Sequence, residues 1–389
     1  MSPSQPASTS PAKAPARVAL WDHARYLLLF FIVTAHTLET LRQSSDAAYL
    51  IYLYFYLFHV AALLTISGYF SKPEINVKAV RSVIQLIVIW LIWEVIFALV
   101  HFYIDDEKIT ENNIIVPSWG LWFLLTLASL RILLPIIMRL RRPMLVSILL
   151  ALGAGLVPAI GTDYSAARTL FFLPFFVAGY LAKDRGWSTQ EWFARPSVAV
   201  RAAAGGVFVI IAAVLLAFPN LEERWRIDRW ALGRNSYQDL LKPGSEAALE
   251  GLRSFGVGEK ELITEVAGVL LRASVMGVGA AMTLALLLLV PRRSLGFQRQ
   301  LSRTLYIYLI HLLILVLMRN YGIISDIGDW GLLGILTLVV FAGFLTVILS
   351  TDLVAKVARP IIEPNVDWLI RRDELPTQKK PSPAPDAKT

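Results

Sequence analysis

Apolar runs of about 20 residues recur along this chain with hardly a pause, and such a run wound as a helix matches the hydrocarbon thickness of a bilayer. In lipid a backbone must satisfy its own N–H and C=O groups, so unbroken apolar runs select helices. The pattern predicts an all-α fold, a polytopic transmembrane helix bundle. About ten spans are expected, at roughly 24–42, 49–70, 81–102, 119–138, 144–161, 168–183, 202–219, 266–290, 304–320 and 332–355. The fifth and sixth are short and joined by a very short connection, Gly161 to Arg168. The length would accommodate two or three soluble domains, but 56% hydrophobic and 17% charged residues suit one membrane bundle better.

Lysine and arginine sort onto alternate connections. One side holds Lys13, Arg17 and Arg25; Lys72, Lys78 and Arg81; Arg139, Arg141 and Arg142; Lys183, Arg185, Arg195 and Arg201; Arg292, Arg293, Arg299 and Arg303; and Lys356, Arg359, Arg371 and Arg372. By the positive-inside rule that side is the cytosol, and both termini lie there. The +8 net charge therefore reads as membrane topology, with lipids and not nucleic acid as the implied partner. The connection 220–265 is long and basic, and long loops obey the rule weakly; with Trp225, Trp230 and Tyr237 it is expected to fold as a cap or re-entrant element outside the membrane. The Pro/Ala/Ser-rich start reads as a disordered cytosolic tail, 1–20, followed by a transmembrane domain, 21–358, and a polar cytosolic tail, 359–389. The absence of cysteine excludes disulfides, thiolate metal sites and a cysteine nucleophile.

Ionisable groups at membrane depth are costly and by default mark a site. His36 follows Asp22 by 14 residues, about 21 Å along a helix, which places it in the outer half of the membrane. Arg25 lies about three turns before His36 on nearly the same face, and Glu39 continues that stripe. Glu94 lies about 20 Å beyond Arg81 on the third span, so either Glu39 or Glu94 can be the carboxylate that orients the imidazole. An imidazole so held suits a general base for a hydroxyl proton. His59 and His311 fall near mid-membrane, where each can instead serve as a neutral interhelical hydrogen-bonding group; His23 and His101 sit at span ends, within reach of water. The carboxylates Glu39 and Glu94 can equally be helix-packing partners. On the cytosolic side Lys72, Lys78, Arg81 and Arg25 form a cationic cluster, suited to lipid phosphates or to a phosphorylated donor. No Walker motif, dinucleotide fingerprint, GxSxG elbow or HExxH is present, and no metal site is expected.

Five stretches in order resemble the acyltransferase 3 family of integral membrane O-acyltransferases, and in particular its fucose 4-O-acetylase-like branch. Asp22-x-x-Arg25 followed by His36 is similar to the first-helix motif, and "FHVAALLTISGYFSK" (58–72) to the second helix. "LWFLLTLASLRILLP" (121–135), "FFLPFFVAGYLAKDRG" (171–186) and "LSRTLYIYLIHLLIL" (301–315) resemble later family segments. The basic R-x-x-R-like pair after the second helix reads Lys78-x-x-Arg81 here, and where some branches place a Glu after the LWFL-like segment this chain has Ser129 and Arg131.

The resemblance implies a cytosolic acyl-CoA donor, usually acetyl-CoA, as co-substrate, and an extracytoplasmic hydroxyl acceptor on a carbohydrate or glycosylated metabolite. It implies catalysis by His36, to which the residue spacing adds Glu39 or Glu94, with donor binding by Arg25, Lys78 and Arg81, and substrate contacts from Asp22, Trp122, Tyr306 and His311. Tyr306 and Tyr308 would line the passage with His311, and aromatic residues of 220–265 would steer the acceptor. No permanently bound cofactor is expected, and the multi-pass protein would lie in the cell membrane. A proton-coupled transporter or flippase, or a bundle without chemistry, remains open at this level, because buried His and Glu also serve proton relays.

Overall fold

The computed structural model describes residues 19–104, 110, 112–218, 227–241, 255–293, 298–301 and 303–371; most of both tails and Trp225 lie outside them. The described residues contain no strand. Twelve helices among the described residues exceed ten residues: α1 Ala19–Leu38, α2 Asp46–Tyr56, α3 His59–Phe70, α4 Val77–Ile104, α5 Trp122–Ile137, α6 Pro143–Gly153, α7 Ala166–Asp184, α8 Val198–Ala217, α9 Glu261–Leu289, α10 Thr304–Asn320, α11 Leu332–Leu349 and α12 Asp352–Ile362.

Among the described residues seven helical segments are long and apolar enough to cross a membrane: Ala19–Gln43, Asp46–Phe70, Val77–Ile104, Asp163–Asp184, Val198–Ala217, Glu261–Leu289 and Leu332–Leu349. The other three apolar runs form the shorter helices Trp122–Ile137, Pro143–Leu156 and Thr304–Asn320. Two irregularities bear on the site. α1 passes into a 3-10 turn, Glu39–Gln43, which takes Glu39 off the helical stripe that carries His36. The second span breaks at Leu57 and Phe58, and the His59 ring donates from Nδ1 to the Phe55 carbonyl at 2.6 Å across that break.

The helix α1 is central, with Ala24, Leu28, Val33, Ala35 and Leu38 buried, whereas α8 buries only Ala204 and Leu215 and turns most of its apolar surface outward. A helix apolar on all sides has that freedom only where lipid replaces water. A close backbone approach joins α3 and α7. A Cβ on Gly68 would lie 1.9 Å from the Phe176 carbonyl oxygen, and one on Gly179 would lie 1.8 Å from that of Thr65. Small residues let helices meet by van der Waals contact where no hydrophobic drive exists between them. The contact locks α7, whose first turn carries Arg168, to α3, which begins at His59.

Part of the long connection folds as a cap. Trp230, Tyr237, Leu240, Leu241 and Val257 form their own apolar cluster against α9, and Tyr237 donates to the Leu152 carbonyl at 2.7 Å. Burial pushes the Tyr237 phenol up, opposed by Arg272 nearby. Trp230 and Tyr237 stack on one another with both rings buried, so they hold the cap together and do not reach out to an acceptor, contrary to the expectation for this loop. At the opposite end α12 lies against α4 and α10: Trp93 donates to the Ile361 carbonyl at 3.2 Å, and Arg303 pairs with Asp352.

Candidate functional site

His36 is 7% exposed near the C-terminal end of α1, and its Nδ1 lies 3.0 Å from Nε2 of His311 on α10. The Nδ1 of His311 lies 2.8 Å from the Ile307 carbonyl of its own helix. A carbonyl only accepts, so His311 carries its proton on Nδ1 and leaves Nε2 as an acceptor. His36 must then donate from Nδ1, and its Nε2 keeps a free lone pair with no protein donor among the described residues. This is the tautomer a general base needs, reached through an imidazole instead of a carboxylate.

Neither expected carboxylate bonds to the His36 ring, which corrects the pairing read from the stripe. Glu39 accepts from Trp119 Nε1 at 2.9 Å and from Arg319 at 3.2 Å. Arg319 also donates to the His36 carbonyl, and its guanidinium lies 3.9 Å from the Trp119 ring centre. The Trp119 ring in turn stands 4.7 Å from the imidazole. Glu39 therefore secures the two side chains that wall the imidazole. Glu94 is buried and accepts from Trp90 Nε1 at 2.7 Å and from the Ser118 N–H at 2.9 Å. It thereby fixes the turn that carries Trp119 and Gly120, whose carbonyl takes the Tyr308 hydroxyl.

The remaining residues divide between the two ends of the bundle. At the end that carries His36, Trp122 stacks on Phe172, with centroids 5.9 Å apart, and the Arg168 guanidinium lies 4.4 Å from its ring centre. Tyr56 stands between the rings of His36 and His59, and the Tyr52 ring lies 4.1 Å from that of Tyr56, tilted by 31°. Tyr308 belongs to this end, with its ring 6.4 Å from that of His311. Tyr306 does not: it faces Glu363 at the other end. Asp22 is buried in the first turn of α1, at the end away from His36, and His23 beside it is buried too, bonded to the Pro291 carbonyl at 2.9 Å where water was expected.

Two adjoining cavities open at that other end. One, of about 520 Å³, is lined by Phe70, Lys72, Lys78, Ser82 and Arg131 among others. The second, of about 580 Å³, is lined by Arg81, Ser82, Gln85, Arg131, Arg359 and Asp367 among others. Arg131 bonds to Ser82 and so stands at the wall common to both. Arg25 lies 4.5 Å over the Phe70 ring and is close enough to Arg131 for mutual repulsion. Arg81 is engaged by Asp367 at 2.6 Å, in a pair exposed on both sides.

Sequence reasoning missed Arg319, Trp119, Arg131 and Arg168. Three of the four are arginines within apolar helices, where a charge is costly and by default marks a site. No group of three or more His, Cys, Asp or Glu among the described residues is arranged to hold a metal.

Residues 18–354 match the family model described as an acyltransferase domain, the acyltransferase 3 family. No curated protein and no solved structure matches the chain.

Proposed function

The chain belongs to this acyltransferase family, and from that premise we propose that it is a membrane O-acyltransferase with His36 as general base. It moves an acyl group, acetyl foremost, from cytosolic acyl-CoA to a hydroxyl of an extracytoplasmic carbohydrate or glycosylated acceptor. The reading rests above all on one arrangement. A histidine with a free Nε2 sits at one end of the central helix α1, and basic cavities open around its other end. With the three shorter apolar helices included as spans, the chain crosses ten times, both termini are cytosolic, and the basic cavities face the cytosol. The protein then resides in the cell membrane, and the order of its motifs favours the fucose 4-O-acetylase-like branch.

On this reading Lys72, Lys78, Arg81 and Arg131 hold the phosphates of CoA by charge-assisted hydrogen bonds, and the acyl thioester extends along α1 past Arg25. The acceptor enters from the outer end between the cap and Trp122. Its hydroxyl oxygen attacks the thioester carbonyl carbon as its proton passes to His36 Nε2. The C–S bond breaks, and the departing thiolate takes the proton from the imidazolium, leaving an O-acyl ester and free CoA. Throughout, His36 Nδ1–H stays bonded to His311, so the ring neither turns nor changes tautomer. The acyl group crosses the membrane while the donor stays in place.

Mass spectrometry of envelope glycans and secreted glycosides from a strain lacking the protein tests this. An acyl mass missing from one species identifies both substrate halves. The purified protein should then release CoA only when that acceptor is present, and His36→Ala should lower release by about 10²- to 10⁴-fold. Substrate flux through proteoliposomes without CoA release would instead make the protein a transporter and overturn the reading.

A further inference from the structure

Four arginines stand around the outer end of the bundle near His36, namely Arg42, Arg168, Arg234 and Arg319, although positive charge is disfavoured on that side. Two are matched. Arg42 faces Asp228 at 3.5 Å, and Arg319 faces Glu39 at 3.2 Å. Arg168 and Arg234 have no ion pair or hydrogen bond from their side chains among the described residues. Arg234 is exposed, but Arg168 is only 7% exposed and its Nε meets no acceptor. The comparison within the chain is Arg272, also buried and with its Nε likewise unpaired, whose two terminal nitrogens nevertheless donate to the carbonyls of Ala151 and Asn235 at 3.2 and 2.7 Å, whereas those of Arg168 donate to none among the described residues. A buried guanidinium is normally satisfied in that way.

Arg168 is held over Trp122, and within its electrostatic range lie Arg234, Tyr56, Glu39 and Tyr52. Glu39 is already taken by Arg319 and Trp119. Tyr56 is also beside the His36 ring, and Tyr308, which Arg168 influences as well, is beside the His311 ring. The unmatched cation therefore lies on the far side of Tyr56 from the proposed base, toward the end from which the acceptor enters, with a second unmatched cation in its electrostatic range. A guanidinium fork is the side chain best suited to a planar oxyanion.

We infer that Arg168, with Arg234 at the rim, is a subsite for an oxyanion on the acceptor, so that the acceptor is an acidic carbohydrate bearing a carboxylate or phosphate ester. This rests on the acyl-transfer reading for the word acceptor; the anion site itself does not. Binding of methyl α-D-glucuronide, glucose 1-phosphate and methyl α-D-glucoside to the full chain in phosphatidylcholine nanodiscs, followed by calorimetry, tests it. At least one acidic probe should bind tenfold or more tightly than the neutral glucoside, and which one does so separates carboxylate from phosphate. That preference should disappear in Arg168→Gln, persist in part in Arg168→Lys, and be unchanged in His36→Ala, with melting temperatures confirming that each variant folds. Equal affinity for the three probes, a preference that survives Arg168→Gln, or no binding of any probe overturns the subsite. If the preference holds while His36→Ala leaves acyl transfer intact, the subsite stands and the assignment of His36 falls.

Discussion

Ile307 settles which nitrogen of His36 is basic, through His311. A carbonyl orders one imidazole and that imidazole orders the next, so which His36 nitrogen keeps its lone pair depends on a residue on another helix. Replacing His311 by Ala should leave His36 free to rotate and change tautomer, lowering kcat by about 10- to 100-fold with little change in KM for the donor, as loss of an orienting partner does. His311→Gln, whose amide oxygen can still accept from Nδ1, should recover part of the loss. Equal activity of the Ala and Gln variants would count against the orienting role. The position of both histidines was legible in the sequence as costly groups at membrane depth; their pairing was not. Glu39 is the instructive residue. Helical spacing put it on the stripe of His36, but the 3-10 turn after Leu38 redirects it to Trp119 and Arg319.

Elements meet where side chains are missing as much as where they are present. Gly68 and Gly179 stand in the "SGY" and "AGY" segments, and each would drive a Cβ into the carbonyl oxygen of the facing helix. Gly68→Ala and Gly179→Ala should each destabilise the protein by about 1–3 kcal/mol or more through overpacking, read as a lower melting temperature in detergent. Gly205→Ala on α8, where a Cβ meets nothing within 4 Å, should leave the melting temperature unchanged. The existence of each long helix was legible because apolar runs carry it directly. The break at Phe58 and the left-handed pair Tyr164 and Ser165, with φ of 47° and 58°, were not legible, since neither involves Gly or Pro. Such conformations in non-glycine residues persist only where surrounding structure holds them. Ser165 is held by Thr126, Oγ to Oγ1 at 2.8 Å.

Across the whole molecule, α1 joins two ends of different chemistry. At the proposed donor end Arg131 is shared by both cavities, while Arg81 is engaged by Asp367. Arg131→Ala should therefore raise KM for acyl-CoA several-fold, with a smaller change in kcat, whereas Asp367→Ala should free Arg81 and lower it. The exposed Arg81–Asp367 pair itself contributes about 0–1 kcal/mol to stability, so Asp367→Ala should barely move the melting temperature. Steady-state kinetics against acyl-CoA at fixed ionic strength distinguishes the two directions. Lysine and arginine between spans made one basic face legible from the sequence, yet Arg131, noted only where some branches carry a Glu, was not assigned to that face because it lies inside an apolar run, nine residues after Trp122.

By itself the sequence determined that this chain is a helical membrane protein, that His36 lies deep along its first span, and that its motifs run in the order of an acyltransferase family. These are properties of single segments, set by the length of apolar runs and by the cost of charge in lipid. Only the tertiary structure decided that His36 answers to His311, that Glu39 and Glu94 support the walls of the site, and that Arg168 is buried over Trp122 with its Nε unpaired among the described residues. Those are relations between helices far apart in the chain. In a bundle whose apolar surfaces resemble one another, polar partners are chosen by crossing points and by the few glycines that permit close approach, and no local pattern encodes that choice.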